Sequence, residues 1–488
     1  MAARETPAET IERLLRSGDL PGAARVAGEM IRKLPTSPVA RLGRCRAYLQ
    51  MGMFLEAEQD LDVALRSAPR DELANYLRGQ LDIRTGKDAE GIARLKPIAL
   101  GRGTCALEAM FAVLDICYHA NRRDEWRELM KTEGAWRKDI RAEFHGARLL
   151  AATDPLQGAE ALRKFLRGAQ ASRDLRRHAG FEAAGLYDKA GEYRTAFETA
   201  RETHALTGDD FDIDMHMKPI LEQLARIEKG ENWITPSVER VHGVVMLVSL
   251  PRSGTTLLEQ MLDRHPAISG IGEYEGLARI YTDLKSQPAW PRRPGDVPAR
   301  VYADMQRLYL EGAHRLRREG ASWTFDKNLR TWRSLPEVAA ILPGTVCLNV
   351  HRDPRDMATS LFLSYFASGQ IGWTFSFESM RRVIELERRL IPRAMEVLGI
   401  EHEAIVYEDL VDDPAREAQR CLSRLGLPMD ERVLAPEQNT RAAVTLSAMQ
   451  VRKPINRSSI GRWRNYEFAF DGAWDALAEA HDARRKSR

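Results

Sequence analysis

Three glycines in the first half of the chain, Gly18, Gly52 and Gly86, recur every 34 residues, within the segments GDLPGA, GMFLEA and GKDAEG. The residue five places after each is small: Ala23, Ala57 and Gly91. Pro35 and Pro69 keep the same interval, and each closes a run with helical apolar spacing, Val26, Met30 and Leu34 in one case and Leu61, Ala64 and Leu65 in the other. A proline there stops the second helix of a pair. Such a period leaves few folds open. The glycine releases the turn between two antiparallel helices and the small residue lets them cross closely, so each pair buries its apolar face only against the next.

This pattern resembles tetratricopeptide repeats. GEYRTA, from Gly191 to Ala196, is a further match, whereas between about 100 and 180 the match degrades while a Leu/Ala-rich helical composition persists. Arrays of this kind bind peptides or other proteins along a concave face, which implies a protein partner here. After Leu224 the helical period is lost. ARIEKGENWITPSVERVHG carries two glycines and a proline, so the expected organisation is a helical repeat domain over 1–224, a linker over 225–243 and a second domain over 244–488.

The length of 488 residues admits two large units or three smaller ones, and 44% hydrophobic with 29% charged residues supplies a substantial core. The net charge of +3 excludes the basic excess that drives sequence-independent nucleic-acid binding, so no nucleic-acid partner is expected. Arg4, Glu5, Glu9, Glu12 and Arg13 interrupt any secretory signal at the start, and the uncharged run from Met357 to Phe377 is too polar for a membrane span. A cytoplasmic protein with no membrane association is the expectation. Cys45, Cys105, Cys117, Cys347 and Cys421 form no CxxC pair and are expected to be reduced core residues.

The second half opens on VVMLVS, an uncharged, β-branched run of the kind buried on both faces of a parallel sheet. PRSGTTLLEQMLDRHP follows, with Leu257, Leu258, Met261 and Leu262 on one helical stripe ended by Pro266. Strand, tight loop and helix place backbone N–H groups and the positive end of a helix dipole against an anion. Arg252 adds charge, Ser253, Thr255 and Thr256 add hydroxyls, and Gly254 allows close approach. The loop departs from the nucleoside-triphosphate motif GxxxxGK[ST], lacking its first glycine and its lysine. PRSGTT instead resembles the 5′-phosphosulfate loop of sulfotransferases that use 3′-phosphoadenosine 5′-phosphosulfate (PAPS). TVCLNVHRDPRDMATS resembles the family's 3′-phosphate segment, with Arg352 and, eight residues on, Ser360. Guanidinium forks and hydroxyl donors suit phosphate oxygens.

Three more segments extend the resemblance. TFDKN sets Lys327 where the family's lysine meets the sulfuryl group, IVYEDLVDDP sets Tyr407 toward the nucleotide, and VRKPINRSSIGRW resembles the VxKPVN…W lid of tyrosylprotein sulfotransferases, placing Lys453 on a cofactor phosphate with Ser447 nearby. The resemblance covers about Val244 to Tyr466. It implies a helical, tetratricopeptide-like solenoid followed by an α/β P-loop-like sulfotransferase domain with a central parallel sheet, using PAPS as sulfuryl donor and requiring no metal. In-line transfer needs cations against the charge growing on the leaving oxygen, roles that fall to Arg252 and Lys327, and a base for the acceptor hydroxyl. Glu273 in ISGIGEYEGL matches the family's acidic position and Glu275 is the alternative, while His265 and His351 read as structural.

The implied acceptor is a peptide or protein tyrosine, a carbohydrate or a small phenol. Tyr365, Phe366, Trp373 and Phe375 are open between an acceptor pocket, core and a contact in a homodimer. Two other readings stand beside this one. A P-loop kinase is opposed by the missing lysine, and a repeat scaffold with a degenerate nucleotide-binding domain is opposed by the joint presence of Arg252, Glu273, Lys327, Arg352 and Ser360.

Overall fold

The computed structural model describes residues 5–207, 211–329, 331–366, 371–439, 441 and 453–486. Its contacts divide the chain into two units, Met1–Leu186 and Tyr187–Arg488. The first is built of antiparallel helix pairs: α1 (Pro7–Ser17) with α2 (Leu20–Lys33), α3 (Pro38–Gln50) with α4 (Phe54–Ser67), and α5 (Glu72–Arg84) with α6 (Asp88–Ala99). Asp19, Ser37 and Asp71 cap α2, α3 and α5 by accepting from backbone N–H groups of the first turn. Gly18, Gly52 and Gly86 sit in the left-handed region at φ 77°, 74° and 81°, and Ala23 and Ala57 are fully buried at the crossings.

Helix pairs continue where the sequence match degrades, as Ala106–His119 with Arg123–Lys131 and Ile140–Ala151 with Pro155–Arg167. Asn121, at φ 56°, takes the place of the turn glycine 35 residues after Gly86. The five cysteines are buried, and none forms a disulfide among the described residues. Among the described residues no helix is long and apolar enough to cross a membrane.

In the second unit α7 (Tyr193–Ala205) and α8 (Ile213–Glu228) precede a sheet of five parallel strands. The strands are β1 (Val244–Leu247), β2 (Ile268–Gly272), β3 (Trp323–Asp326), β4 (Val346–His351) and β5 (Glu401–Val406), in spatial order β2-β3-β1-β4-β5. β1 and β4 are buried throughout, as uncharged runs in a parallel sheet should be. Val245, Leu247, Leu348 and Ile405 form the core with Leu258, Met261 and Leu262 of α9 (Thr255–Leu262). α10 (Pro354–Phe362) follows β4, α11 (Phe377–Val397) precedes β5, and α12 (Gly472–Lys486) ends the unit.

The division by contacts falls inside the helix Arg173–Lys189, ahead of the compositional change at 225–243. The reason is aromatic packing. Phe197 of α7 stacks on Phe362 of α10 at 4.8 Å, and His204 donates from Nε2 to the Phe362 carbonyl at 2.9 Å, so the helix introduced by GEYRTA belongs with the sheet. Trp373 is core at 3% exposure, and Phe375 lies 5.5 Å from the His204 ring.

Candidate active site

All five strands run parallel, so the loops after them gather at one edge, where ligands bind in sheets of this kind. The loop after β1 is tied to β4: Ser249 Oγ accepts from Val350 N–H at 2.7 Å, and the Asn349 amide donates to the Val248 carbonyl. Ser253 turns its hydroxyl inward onto the Leu250 carbonyl at 2.8 Å. Arg252 adopts φ 67°, a conformation unusual for a side chain of its size, and Gly254 follows at φ 103°. A Cβ on Gly254 would stand 2.3 Å from the Tyr407 ring, so this position excludes every other residue on two counts. Thr255 and Thr256 then start α9, whose opening N–H groups lie outside the helical ladder.

Arg252, Gly254, Thr255, Thr256, Arg352, Ser360, Tyr407 and Lys453 line one cavity of about 360 Å³. Arg252 Nε donates to Ser360 Oγ at 2.7 Å, which joins the loop after β1 directly to the helix after β4. Arg352, 6% exposed, donates from Nη1 to the Arg252 carbonyl at 2.9 Å and from Nη2 to the Ser459 carbonyl, and its guanidinium lies 4.7 Å over the Tyr407 ring. Among the described residues its buried Nε–H has no acceptor. Arg388 fixes the loop from behind by donating to the Arg352 carbonyl at 2.6 Å.

Lys189 and Arg462 also line this cavity and were not singled out in the sequence, although Arg462 sits inside the RSSIGRW segment. Among the described residues, five cations face a single carboxylate, Asp356. That carboxylate is turned to the backbone N–H groups of Gly461 and Trp463 at 2.7 and 2.9 Å. Burial, then repulsion from Arg352 and Arg462, pulls the Arg252 guanidinium down to about 10. A folded site that opposes its own cation is stabilised by an incoming anion. The surplus charge and the orphaned Arg352 Nε–H fit a ligand bearing more than one phosphate-like group.

Glu273 and Lys327 lie on the same edge, past β2 and β3. Lys327 N–H donates to the Gly272 carbonyl at 2.9 Å, and its Nζ, almost wholly buried, donates to Glu273 Oε1 at 2.7 Å, while the Glu273 side chain keeps 45% of its surface exposed. Beneath them Asp326 accepts from the Tyr309 hydroxyl at 2.7 Å and from Asn328 N–H at 3.0 Å, and Asn328 donates to the Tyr274 carbonyl at 2.8 Å. Glu275 stands exposed at the start of the helix Gly276–Lys285 without capping it. His265 accepts from Ala267 N–H at Nδ1 and donates to the Pro428 carbonyl from Nε2, and His351 receives Arg484 at 2.8 Å. Both rings are engaged structurally. Ser447 lies outside the described residues.

Residues 245–431 match the model of a sulfotransferase family, and residues 14–81 match a tetratricopeptide repeat. An uncharacterized protein of Aquifex aeolicus is 25% identical over 326 residues, 63% of this chain but only 42% of that protein, so the chain spans less than half of its length. Protein-tyrosine sulfotransferase 1 of Danio rerio is 25% identical over 280 residues, 51% of this chain and 74% of that one. Among solved structures, the sulfotransferase domain of the Synechococcus PCC 7002 olefin synthase aligns with a TM-score of 0.34 at 20% identity, covering 52% of this chain and 98% of that one. By the two family models, the chain is similar to tetratricopeptide repeats in its first half and to the sulfotransferase family in its second.

Proposed function

We propose that the protein transfers a sulfuryl group from PAPS to a hydroxyl acceptor, with a protein tyrosine as the first candidate. The observation that carries this reading is the cavity in which Arg252, Arg352, Lys453, Arg462 and Lys189 line one volume whose lining, among the described residues, holds one acid, Asp356. PAPS, when bound, supplies a sulfuryl group on a phosphate leaving oxygen. The loop from Arg252 to Thr256 holds the 5′ end through N–H groups and hydroxyls, and Arg352, Ser360 and Lys453 hold the 3′-phosphate. Tyr407 closes the wall between the two segments.

Glu273 takes the acceptor proton at its carboxylate. Lys327, held at 2.7 Å, keeps that carboxylate aimed and turns its ammonium to charge developing at the reacting oxygen, a role it shares with Arg252. The exposed face of Glu273 admits a bulky acceptor. The kinship with a protein-tyrosine sulfotransferase and the repeats together favour an acceptor presented on a protein.

Isothermal titration with adenosine 3′,5′-bisphosphate, run beside ATP and adenosine 5′-phosphate, tests the reading. Micromolar binding that depends on the 3′-phosphate is expected. A preference for ATP, or no binding, overturns it.

A further inference from the structure

The donor cavity takes part of its wall from a helical turn that the sequence presents as a repeat. At the third position before the turn glycine, three repeats carry an apolar residue, Leu15, Leu49 and Ile83, but the turn at Gly191 carries Asp188, followed by Lys189. Leu15 and Leu49 are buried in their helix pairs. Asp188 does something else. Its carboxylate accepts from Arg462 Nη2 at 2.5 Å and from the Tyr466 hydroxyl at 2.6 Å. Tyr466 is 1% exposed, and its ring meets that of Tyr193, the first residue of α7, edge-on at 5.5 Å. The turn is therefore fastened on both sides of Gly191, and Lys189 lines the same cavity as Arg462.

We infer that this turn is a working part of the donor site: Lys189 contacts a donor phosphate, and Asp188 positions Arg462 toward it. The inference rests on the PAPS reading. A nucleotide with phosphate at both the 3′ and 5′ positions brings about −1.5 to −2 charges at each. Matching both ends takes more cations than Arg252, Arg352 and Lys453 supply. Arg462 on its own would be a long side chain free to follow solvent, and the shared carboxylate of Asp188 removes that freedom, lowering the entropic cost of the contact.

The test is titration of adenosine 3′,5′-bisphosphate into the full chain and into Lys189→Met, Lys189→Arg and Asp188→Asn, at low and high salt, with thermal melting of each protein without nucleotide. Loss of one phosphate contact from a lining cation weakens binding roughly five- to tenfold at low salt, and less at high salt. Lys189→Arg is expected to hold affinity within about twofold, because the charge is kept. Asp188→Asn removes a negative charge from a site for anions, so simple electrostatics would tighten binding, whereas loss of positioning weakens it roughly threefold or more. Wild-type affinity in Lys189→Met overturns the contact, and equal or tighter binding in Asp188→Asn overturns the positioning. A melting point unchanged in Lys189→Met separates ligand contact from folding. Should the wild-type chain itself fail to bind the bisphosphate, the PAPS reading falls first.

Discussion

On the β1–β4–β5 side of the sheet, buried arginines crowd one another around a volume lined, among the described residues, by one acid, whereas on the β2–β3 side the buried Lys327 is already neutralised by Glu273 at 2.7 Å. The first arrangement disfavours its own cations, by burial first and by mutual repulsion second, as the lowered Arg252 shows, and an incoming anion relieves both. The second is a closed ion pair, and in the proposed reaction its carboxylate is shared with an incoming hydroxyl before any proton moves. Donor binding should therefore be insensitive to changes at Glu273, and turnover should feel them most.

The largest expected effect follows. Glu273→Gln keeps an oxygen for Lys327 yet cannot take a proton, and it should lower kcat by roughly a hundredfold or more, the scale of a positioned base. Nucleotide affinity should remain near that of the wild type. Turnover measured with labelled PAPS and a tyrosine peptide checks it. Unchanged turnover would pass the role to Glu275.

Arg352→Ala tests the opposite side and should spare chemistry at saturation. It removes a charged donor and leaves the Ser459 carbonyl without it, so adenosine 3′,5′-bisphosphate should bind roughly ten- to a hundredfold more weakly. Unaltered affinity would remove Arg352 from the 3′-phosphate. The brace beneath the Glu273–Lys327 pair predicts a pH effect of about 2 kcal/mol. Burial raises Asp326 to about 7, as it does Glu337 and Glu387, while the same groups in the unfolded chain lose their protons near 4. The folded state then holds more protons on these groups between those values, so their contribution to stability is fully present below about pH 4 and is lost as pH rises to 7. Asp326→Asn should flatten that decline between pH 5 and 8 by about 2 kcal/mol in denaturant titrations. An unchanged slope would mean that Asp326 is ionised in the folded protein throughout.

What the amino-acid order made legible was whatever depends on local spacing. The period of 34 becomes α1 to α6 with glycines in the left-handed region, and PRSGTT and HRDPRD end up in one cavity because parallel strands deliver their loops to one edge. The continuation of helix pairs past Gly86 was hidden because Asn121 adopts the same left-handed conformation without the glycine signature. The early division of the units was hidden because it depends on Phe197 meeting Phe362, a contact that no local composition announces. Lys189 belongs to no motif. The hydrogen bond from Arg252 to Ser360 spans 108 positions and arises only once β1 and β4 lie side by side.

That bond supplies the smallest of the tests. Ser360 Oγ accepts from Arg252 Nε at 2.7 Å inside a site where the serine is 5% exposed. Ser360→Ala deletes a neutral hydroxyl and one acceptor while every cation of the cavity stays, so the stored repulsion remains and the anion is still drawn in. The loss should be that of one hydrogen bond, about 1 kcal/mol, or roughly fivefold in nucleotide affinity. Turnover at saturation should change less, because the Glu273–Lys327 pair stands on the other strands. A loss as large as that of Arg352→Ala would show that the serine aligns Arg252 rather than merely contacting the ligand, and the two phosphate segments would then have to be treated as one device.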